Sequence, residues 1–259
     1  MKFPSIQFAH IFYLLILFQL PSLSNAAQDV ENIFSSANHN YKIGNFEFAV
    51  SEYEKLVSQG YEGTSLFYNL GNSYFRLGKL GKAILNYEKA LKLSPGDEDV
   101  LHNLAFVNLK TVDKIETLPQ FFLFQWWENL IGLFTVNGWS YFILGIFLLI
   151  LICIVVYFFT KKIEFQKASF LTGLFLSLIF LFTASILAIN LNREMNWKFG
   201  IVMTTKVIAK TSPDNQSKDN FLIHEGLKVK IEDELEDWYK IKLPDGKIGW
   251  VIKGELEII

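Results

Sequence analysis

The chain has 259 residues, a formal net charge of −2 and a 51% share of hydrophobic residues, among them 25 phenylalanines. That apolar share is high for one soluble domain, so composition excludes a single ordinary globular unit. Acidic and basic residues nearly balance, with 9 Lys/Arg against 11 Asp/Glu over both 28–115 and 199–259. This balance predicts no nucleic acid partner, because such proteins carry basic patches.

The N-terminus has the pattern of a secretory signal peptide, which we place at residues 1–26. Lys2 precedes the apolar run Ile11–Leu20, and cleavage is expected after the small residues Ala26 or Ala27. The alternative is an uncleaved anchor. In either case the chain that follows is expected to be exported.

Residues 64–95 read TSLFYNLGNSYFRLGKLGKAILNYEKALKLSP, a stretch that Gly78 divides into two predicted helices. Small residues stand at Gly71, Ala83 and Ala90, whereas Phe67, Leu70, Tyr74 and Tyr87 are large. Small side chains are needed where two helix backbones approach closely. The stretch therefore predicts a helical hairpin.

The same pattern of small and large residues recurs upstream at a constant offset. The aligned pairs are Gly78 with Gly44, Ala83 with Ala49, Tyr87 with Tyr53, Asn72 with Asn38, Gly71 with Ala37 and Phe75 with Tyr41. A 34-residue helix–turn–helix period resembles the tetratricopeptide repeat. It predicts an all-α tetratricopeptide repeat array over residues 28–115, with repeats at 30–63 and 64–97 and a partial repeat at 98–115.

The resemblance implies a protein-binding groove along the first helices of the repeats. The groove candidates are Phe34, Asn38, Tyr41, Tyr68, Asn72, Phe75, Arg76 and His102. Each of them could equally pack between repeats. Some family members clamp a C-terminal carboxylate with two asparagines, which Asn38 and Asn69 match. However, Phe34, Asp99 and Asn103 stand where that clamp needs Lys or Arg, so an extended peptide or a helix suits this groove better.

Residues 118–138, LPQFFLFQWWENLIGLFTVNG, are rich in aromatic rings but also contain polar residues. Tryptophan favours the headgroup boundary of a membrane, so we predict an interfacial helix. The alternative is a short helix buried against the repeats.

Two apolar segments, 139–160 and 168–190, are each long enough to cross a bilayer. The loop between them, 161–167, carries Lys161, Lys162 and Lys167 against Glu164, which predicts a cytoplasmic position. Both flanking regions then lie on the exported side. Ser169, Gly173 and Ser177 share one helical face, where either the second span or a partner helix could pack.

From residue 199 the hydrophobic period changes to two, in the runs KVIAK, FLI, LKVKIE, WYKIKL and IGWVI. Five short strands in so short a region predict a small all-β barrel. Residues 199–259 resemble bacterial SH3-like domains in the His224-Glu225-Gly226 turn, in Trp238 after an acidic loop and in Gly249-Trp250-Val251. Alternation points Trp238 away from the core, where it could line a groove with Trp250. The alternative is that both tryptophans are partly buried barrel aromatics.

No pattern in the sequence predicts catalysis, a cofactor or a metal site. Cys153 lies inside a predicted span, the histidines are isolated, and the acidic run 232–237 lacks the order of a calcium loop. The chain is therefore expected not to be an enzyme. Its acidic run is expected to be a solvated hairpin loop.

The order of these parts resembles the BatE-type proteins of bacterial aerotolerance (Bat) operons. The likeness is carried by Asn103-Leu104-Ala105, the aromatic stretch, the Lys161-Lys162 hairpin and the HEG…W…DGKIGW region. It implies a scaffold in the bacterial inner membrane whose partners are Bat proteins with von Willebrand A-type domains and a MoxR-type ATPase. It also implies a link to envelope or oxidative stress. A cell-wall module, with the barrel on peptidoglycan, is the alternative.

Overall fold

The computed structural model describes residues 20–115 and 121–259 of the chain. Most of the predicted signal peptide (1–26) and the first residues of the predicted aromatic segment (118–138) lie outside these ranges. The described part consists of a helical array, three helices that follow it, and a C-terminal sheet.

The helical array consists of two hairpins and one further helix. Its helices are α1 (Leu20–Lys42), α2 (Phe46–Ser58), α3 (Thr64–Arg76), α4 (Leu80–Leu93) and α5 (Glu98–Asn108). Helix α1 packs on α2 and α3 packs on α4, while α5 covers the free side of α4. The turns inside both hairpins contain a glycine in the left-handed region, Gly44 (φ 84°) and Gly78 (φ 74°). The structure thus contains the predicted helical repeats.

Replacing Gly78 by alanine is expected to lower the free energy of unfolding of the second hairpin by about 1–2 kcal/mol, the cost of a left-handed L-residue. A Cβ at Gly78 would meet no atom within 4 Å, so backbone strain is the whole effect. Amide hydrogen exchange of α3 and α4 in the purified chain measures it. Gly96→Ala, at an equally open site without positive φ, is the control and should leave exchange unchanged.

The core of the array follows the predicted alternation of small and large residues. Ala37, Ala49, Ala83 and Ala90 are fully buried, and Phe67, Leu70, Tyr74, Tyr53 and Tyr87 are buried around them. The closest approach is at Gly71, where an added Cβ would lie 2.9 Å from two ring carbons of Tyr87. The backbone of α3 therefore packs directly against the Tyr87 ring of α4 at this point, and a glycine leaves room for it.

Two helices are long and apolar enough to cross a membrane: α7 (Val136–Phe159), with mean hydropathy 3.2, and α8 (Ile163–Asn196), with 2.4. Only residues 160–162 separate them, so most of the predicted 161–167 loop is the first turn of α8. Most of their side chains are exposed on the surface of the protein, as lipid-facing side chains would be. At Gly173 an added Cβ would lie 3.4 Å from Cys153 Cβ. The small-residue face of α8 therefore packs on α7.

A short helix, α6 (Phe122–Ile131), folds back on one end of this pair. The Ile131 carbonyl accepts hydrogen bonds from Trp139 Nε1 (3.1 Å) and Asn190 Nδ2 (3.3 Å). Arg193 binds both carboxylate oxygens of Glu128, at 2.5 and 2.7 Å, and thereby lowers the pKa of Glu128. The aromatic segment is therefore anchored on α7 and α8, while most of its other large apolar side chains are exposed.

The C-terminal region is a seven-stranded antiparallel sheet. Its strands are β1 (Lys198–Val202), β2 (Lys206–Lys210), β3 (Asp219–His224), β4 (Lys228–Leu235), β5 (Trp238–Lys242), β6 (Ile248–Ile252) and β7 (Leu256–Ile258). Their order in the sheet is β3-β2-β6-β5-β4-β1-β7. The five predicted runs coincide with β2 to β6, and β1 and β7 add two more. The expected closed barrel is not seen: among the described residues, the edge strands β3 and β7 do not pair, so the sheet is open.

Candidate functional site

A hydrogen-bonded network of asparagines and tyrosines joins the first helices of the repeats. Asn38 Oδ1 accepts from the Tyr53 hydroxyl (2.6 Å) and from Asn69 Nδ2 (2.9 Å). At the equivalent place in the next repeat, Asn72 Oδ1 accepts from the Tyr87 hydroxyl (2.7 Å) and from Asn103 Nδ2 (2.8 Å). The same arrangement therefore recurs once per repeat and links α1 to α3 and α3 to α5.

This network assigns a packing role to two of the predicted groove residues, and a third, Tyr68, joins it because its hydroxyl oxygen accepts from Asn103 Nδ2 (3.0 Å). The carbonyl oxygens of Asn38 and Asn72 each already accept two hydrogen bonds from within the array. Asn69, which matches the carboxylate clamp, donates to Asn38. The two asparagines of that motif thus bind each other and brace neighbouring repeats.

The remaining predicted groove residues lie on the face formed by α1, α3 and α5, which we call the first-helix face. The rings of Phe34, Tyr41, Tyr68 and Phe75 are half-buried there, whereas Arg76 and His102 are exposed. Phe75 packs edge-on against Phe106, with ring centroids 5.7 Å apart. The first-helix face therefore combines a half-buried aromatic strip with exposed polar groups, and an amphipathic peptide needs both.

Burial shifts the titration of the tyrosines beneath this face. It raises the pKa of Tyr53 to about 12 and raises the pKa of Tyr87 and Tyr74 further. Tyr74 also donates a hydrogen bond to Glu54, which adds to its shift. All three are at most 2% exposed, so ionising any of them would place a charge inside the array core.

The array is expected to unfold in alkali between pH 10 and 12. Unfolded tyrosines lose their protons near pH 10, so above it the unfolded state binds fewer protons than the folded state and stability falls as pH rises. Each buried tyrosine contributes about 1.4 kcal/mol per pH unit in that window. The phenolate absorbance that the buried tyrosines contribute should rise in one steep step in the purified chain.

Tyr53→Phe and Tyr87→Phe should make that step shallower, and Tyr61→Phe, which removes the hydroxyl of an exposed tyrosine, should not. A gradual titration of every tyrosine near pH 10 would contradict the expectation.

A second feature, absent from the sequence predictions, is a contact between the array and the sheet through the loop His224-Glu225-Gly226. Glu225 Oε1 accepts from the backbone N–H of Gly81 (2.8 Å). Gly81 lies in the first turn of α4, whose N-cap residue Lys79 makes no side-chain cap. A carboxylate is favourable at a helix N-terminus, so the sheet supplies the cap that the array lacks.

Around this cap, hydrogen bonds to Asp113, one ion pair and apolar contacts extend the contact. Asp113 accepts from the backbone N–H of His224 (2.6 Å) and pairs with its ring Nδ1 (2.9 Å). Lys228 Nζ lies 2.6 Å from Glu88 Oε2. Ile201 of β1 is fully buried within the core of the array itself. Strand β1 therefore contributes to the core of the array, while the rest of the sheet has a core of its own.

The two tryptophans of the predicted sheet groove differ in exposure. Trp238 is buried, with 8% of its surface exposed, and Trp250 is half-buried. Trp238 lies directly opposite Leu235 and Ile252 on the neighbouring strands. The alternative of a buried aromatic residue therefore describes Trp238 better than a groove-lining role.

A cleft of about 910 Å³ opens where the array, the start of α7, the end of α8 and β1 meet. Its walls include Lys89, Lys92, Phe134 and Trp197, together with the acidic residues Glu62 and Glu194. Charges of both signs lie in the walls, so no single ligand class is selected. Within the described residues no group of three or more His, Cys, Asp or Glu could hold a metal ion.

Comparison with known proteins bears on the array alone. A family model described as a TPR repeat matches residues 71–112, which run from within α3 to just beyond α5. No curated protein matches the chain. The tetratricopeptide (TPR) repeat is a protein-binding, non-catalytic motif, and the helical region of this chain is a TPR-like array.

Proposed function

We propose that the protein is a membrane-anchored scaffold whose array holds a partner protein on the first-helix face. The observation that carries this proposal is the half-buried aromatic strip of Phe34, Tyr41, Tyr68 and Phe75, framed by exposed Arg76 and His102. Such a strip offers an extended peptide or a helix apolar contact and polar anchoring together. The TPR repeat match at residues 71–112 favours the same use.

The contact between array and sheet bears on the topology. Because the two regions touch, they lie on the same side of any membrane that α7 and α8 cross. The helices must then cross an even number of times, as a hairpin does. The signal-peptide pattern and the lysines at 161, 162 and 167 favour the periplasmic side for the array and the sheet, in the bacterial inner membrane.

The partners we propose follow from the resemblance to BatE-type proteins. They are Bat proteins with von Willebrand A-type domains, acting with a MoxR-type ATPase in an envelope or oxidative-stress complex. The sheet, for which we keep the SH3-like assignment, serves in this scheme as a brace on the array.

A photo-crosslinking amino acid at Tyr68 or Arg76 of the full chain, in native membranes, tests the scaffold. The expected result is a protein adduct at these positions. None should form at Lys55, which is exposed on α2 and serves as the control. Capture of lipid or wall material alone at Tyr68 and Arg76 would contradict the proposal.

The alternative function, peptidoglycan binding through the sheet, is less favoured because Trp238 is buried and the loop 224–226 contacts the array. Co-sedimentation of the full chain with purified cell wall distinguishes the two functions. Wall binding that survives Tyr68→Ala but is lost in Trp250→Ala would favour the alternative.

A further inference from the structure

Three basic residues, Lys42, Arg76 and Lys110, stand at the same position of successive repeats. Lys42 and Arg76 are the last residues of α1 and α3, and Lys110 comes just after the end of α5. We call these three residues the basic row. They mark one edge of the first-helix face.

The basic row is exposed and carries free charge. All three side chains are exposed. In the described part of the chain none of them forms a salt bridge within 4.0 Å. Arg76 lies over the ring of Phe46 at 4.4 Å and Lys110 over that of Phe106 at 5.1 Å. These rings hold two of the cations beside the aromatic strip without neutralising them.

The opposite edge of the first-helix face has the opposite sign. Glu31 precedes Lys42, and Asp99 precedes Lys110, by about three helical turns, and both acidic side chains are exposed. Ser65 holds the equivalent position in the second repeat. The face is therefore polarised across its width, so a partner segment would be held in one orientation.

The spacing of the row also selects a partner. Neighbouring first helices touch through Asn38–Asn69 and Asn72–Asn103, so their axes lie about 8–10 Å apart. An extended chain in the polyproline II conformation advances about 3.1 Å per residue and points every third side chain in the same direction. A cation on each successive helix therefore matches about every third residue of an extended segment.

We propose that the partner segment is an extended peptide with an acidic side chain at about every third residue, aligned on the basic row, and with apolar side chains on the aromatic strip. This inference rests on the proposed function of the first-helix face and names the chemistry that this face selects. Internal Asp and Glu side chains are the ligands, rather than a terminal carboxylate. Asn38 and Asn69, which would clamp a terminal carboxylate, are instead hydrogen-bonded to each other.

A cation near a helix C-terminus also complements the helix dipole, which is a purely structural role. Binding and stability must therefore be measured separately. The probe is a phage-displayed library of random 12-residue peptides, selected on the full chain in nanodiscs. Stability is followed by hydrogen exchange of the array in the same samples.

The wild-type chain is expected to select peptides enriched in Asp and Glu at a spacing of about three. The charge-reversed variant Lys42→Glu/Arg76→Glu/Lys110→Glu should bind those peptides at least about tenfold more weakly, with exchange in the array core unchanged. The matched control Lys55→Glu/Lys206→Glu/Lys218→Glu reverses three exposed lysines elsewhere and should bind as the wild type does.

The outcomes separate the two proposals. If selected peptides lose binding in Tyr68→Ala but show no acidic enrichment, the first-helix face binds peptides and the acidic-partner inference is wrong. Equal weakening in both charge-reversed variants would also overturn it, because the effect would be one of net charge. If no selected peptide depends on Tyr68, the proposed function fails together with the inference.

Discussion

Replacing Gly226 by valine is expected to detach the sheet from the helical array. Gly226 has φ 88°, and an added Cβ would lie 2.8 Å from Ile84 Cδ1 and from Thr111 Cγ2. A left-handed L-residue costs about 1–2 kcal/mol, and overpacking at a tight contact costs about 1–3 kcal/mol more. Since both costs fall on the loop that contacts the array, we expect the contact to weaken by about 2–5 kcal/mol.

Hydrogen exchange on the full chain measures this loss at two amides that bond across the contact. The N–H of Gly81 donates to Glu225, and that of His224 donates to Asp113, so both should exchange much faster in Gly226→Val. Amides inside the sheet, such as that of Val251, should stay protected.

Gly254→Val is the matched control, because a Cβ at Gly254 would meet no atom within 4 Å. Asp113→Ala removes the acceptor from the array side and should expose the amide of His224 in the same way. If Gly226→Val left both amides protected, the contact would not depend on this loop.

Replacing Gly71 by valine is expected to unfold the second hairpin locally. An added Cβ would lie 2.9 Å from Cδ1 and Cε1 of Tyr87 and 3.2 Å from the carbonyl oxygen of Ala83. Neither neighbour can move freely. The Tyr87 ring is 1% exposed and its hydroxyl donates a hydrogen bond to Asn72, and the Ala83 oxygen belongs to the helix backbone. We expect a loss of about 1–3 kcal/mol from overpacking, with a smaller loss for Gly71→Ala.

Exchange rates in α3 and α4 report this loss, and the amides of α7 and α8 provide an internal reference. The hydrogen bond from Tyr87 to Asn72 should break as the ring is displaced. Because Asn103 of α5 donates to the same oxygen of Asn72, exchange should also rise in α5. Gly96→Val, at an open site, is the control. A wild-type exchange pattern in Gly71→Val would mean that Tyr87 can reorient without cost.

The elements of the array could be predicted from sequence because each repeat contains its own pattern. The alternation around Gly71, Ala83 and Tyr87 occurs in both hairpins, and the buried side chains are those that the alternation selects. The asparagine network could have been predicted too, since Asn69 and Asn103 hold the same position in successive repeats. The pairing of these polar positions across repeats depends on how the first helices pack, which the sequence of one repeat does not contain.

The sheet was harder to predict because its edges and contacts are not local. Strand β7 is only Leu256–Ile258, too short for a period-two pattern to stand out. Trp238 is buried although alternation places it opposite the core, because Leu235 and Ile252 flank it from both neighbouring strands. Strand number and the SH3-like resemblance predict closure into a barrel, but neither fixes whether the edge strands meet.

The contact between sheet and array could not be predicted at all. Glu225 and Gly81 are 144 residues apart, and each looks like an ordinary turn or helix residue in its own segment. Such a pairing leaves no periodic signal. Only the folded structure brings the uncapped N-terminus of α4 and the carboxylate of Glu225 together.

This distant cap also sets the order in which the molecule can be completed during synthesis. Helix α4 is synthesised long before Ile201 and Glu225. Until those residues are made, the N-terminus of α4 lacks its cap and the core of the array lacks the Ile201 side chain. Both apolar helices are translated in the interval. In the membrane-anchored arrangement proposed above, failure of one of them to insert would leave the sheet on the opposite side of the bilayer and the array without its cap. Completion of the array would then depend on insertion of both helices.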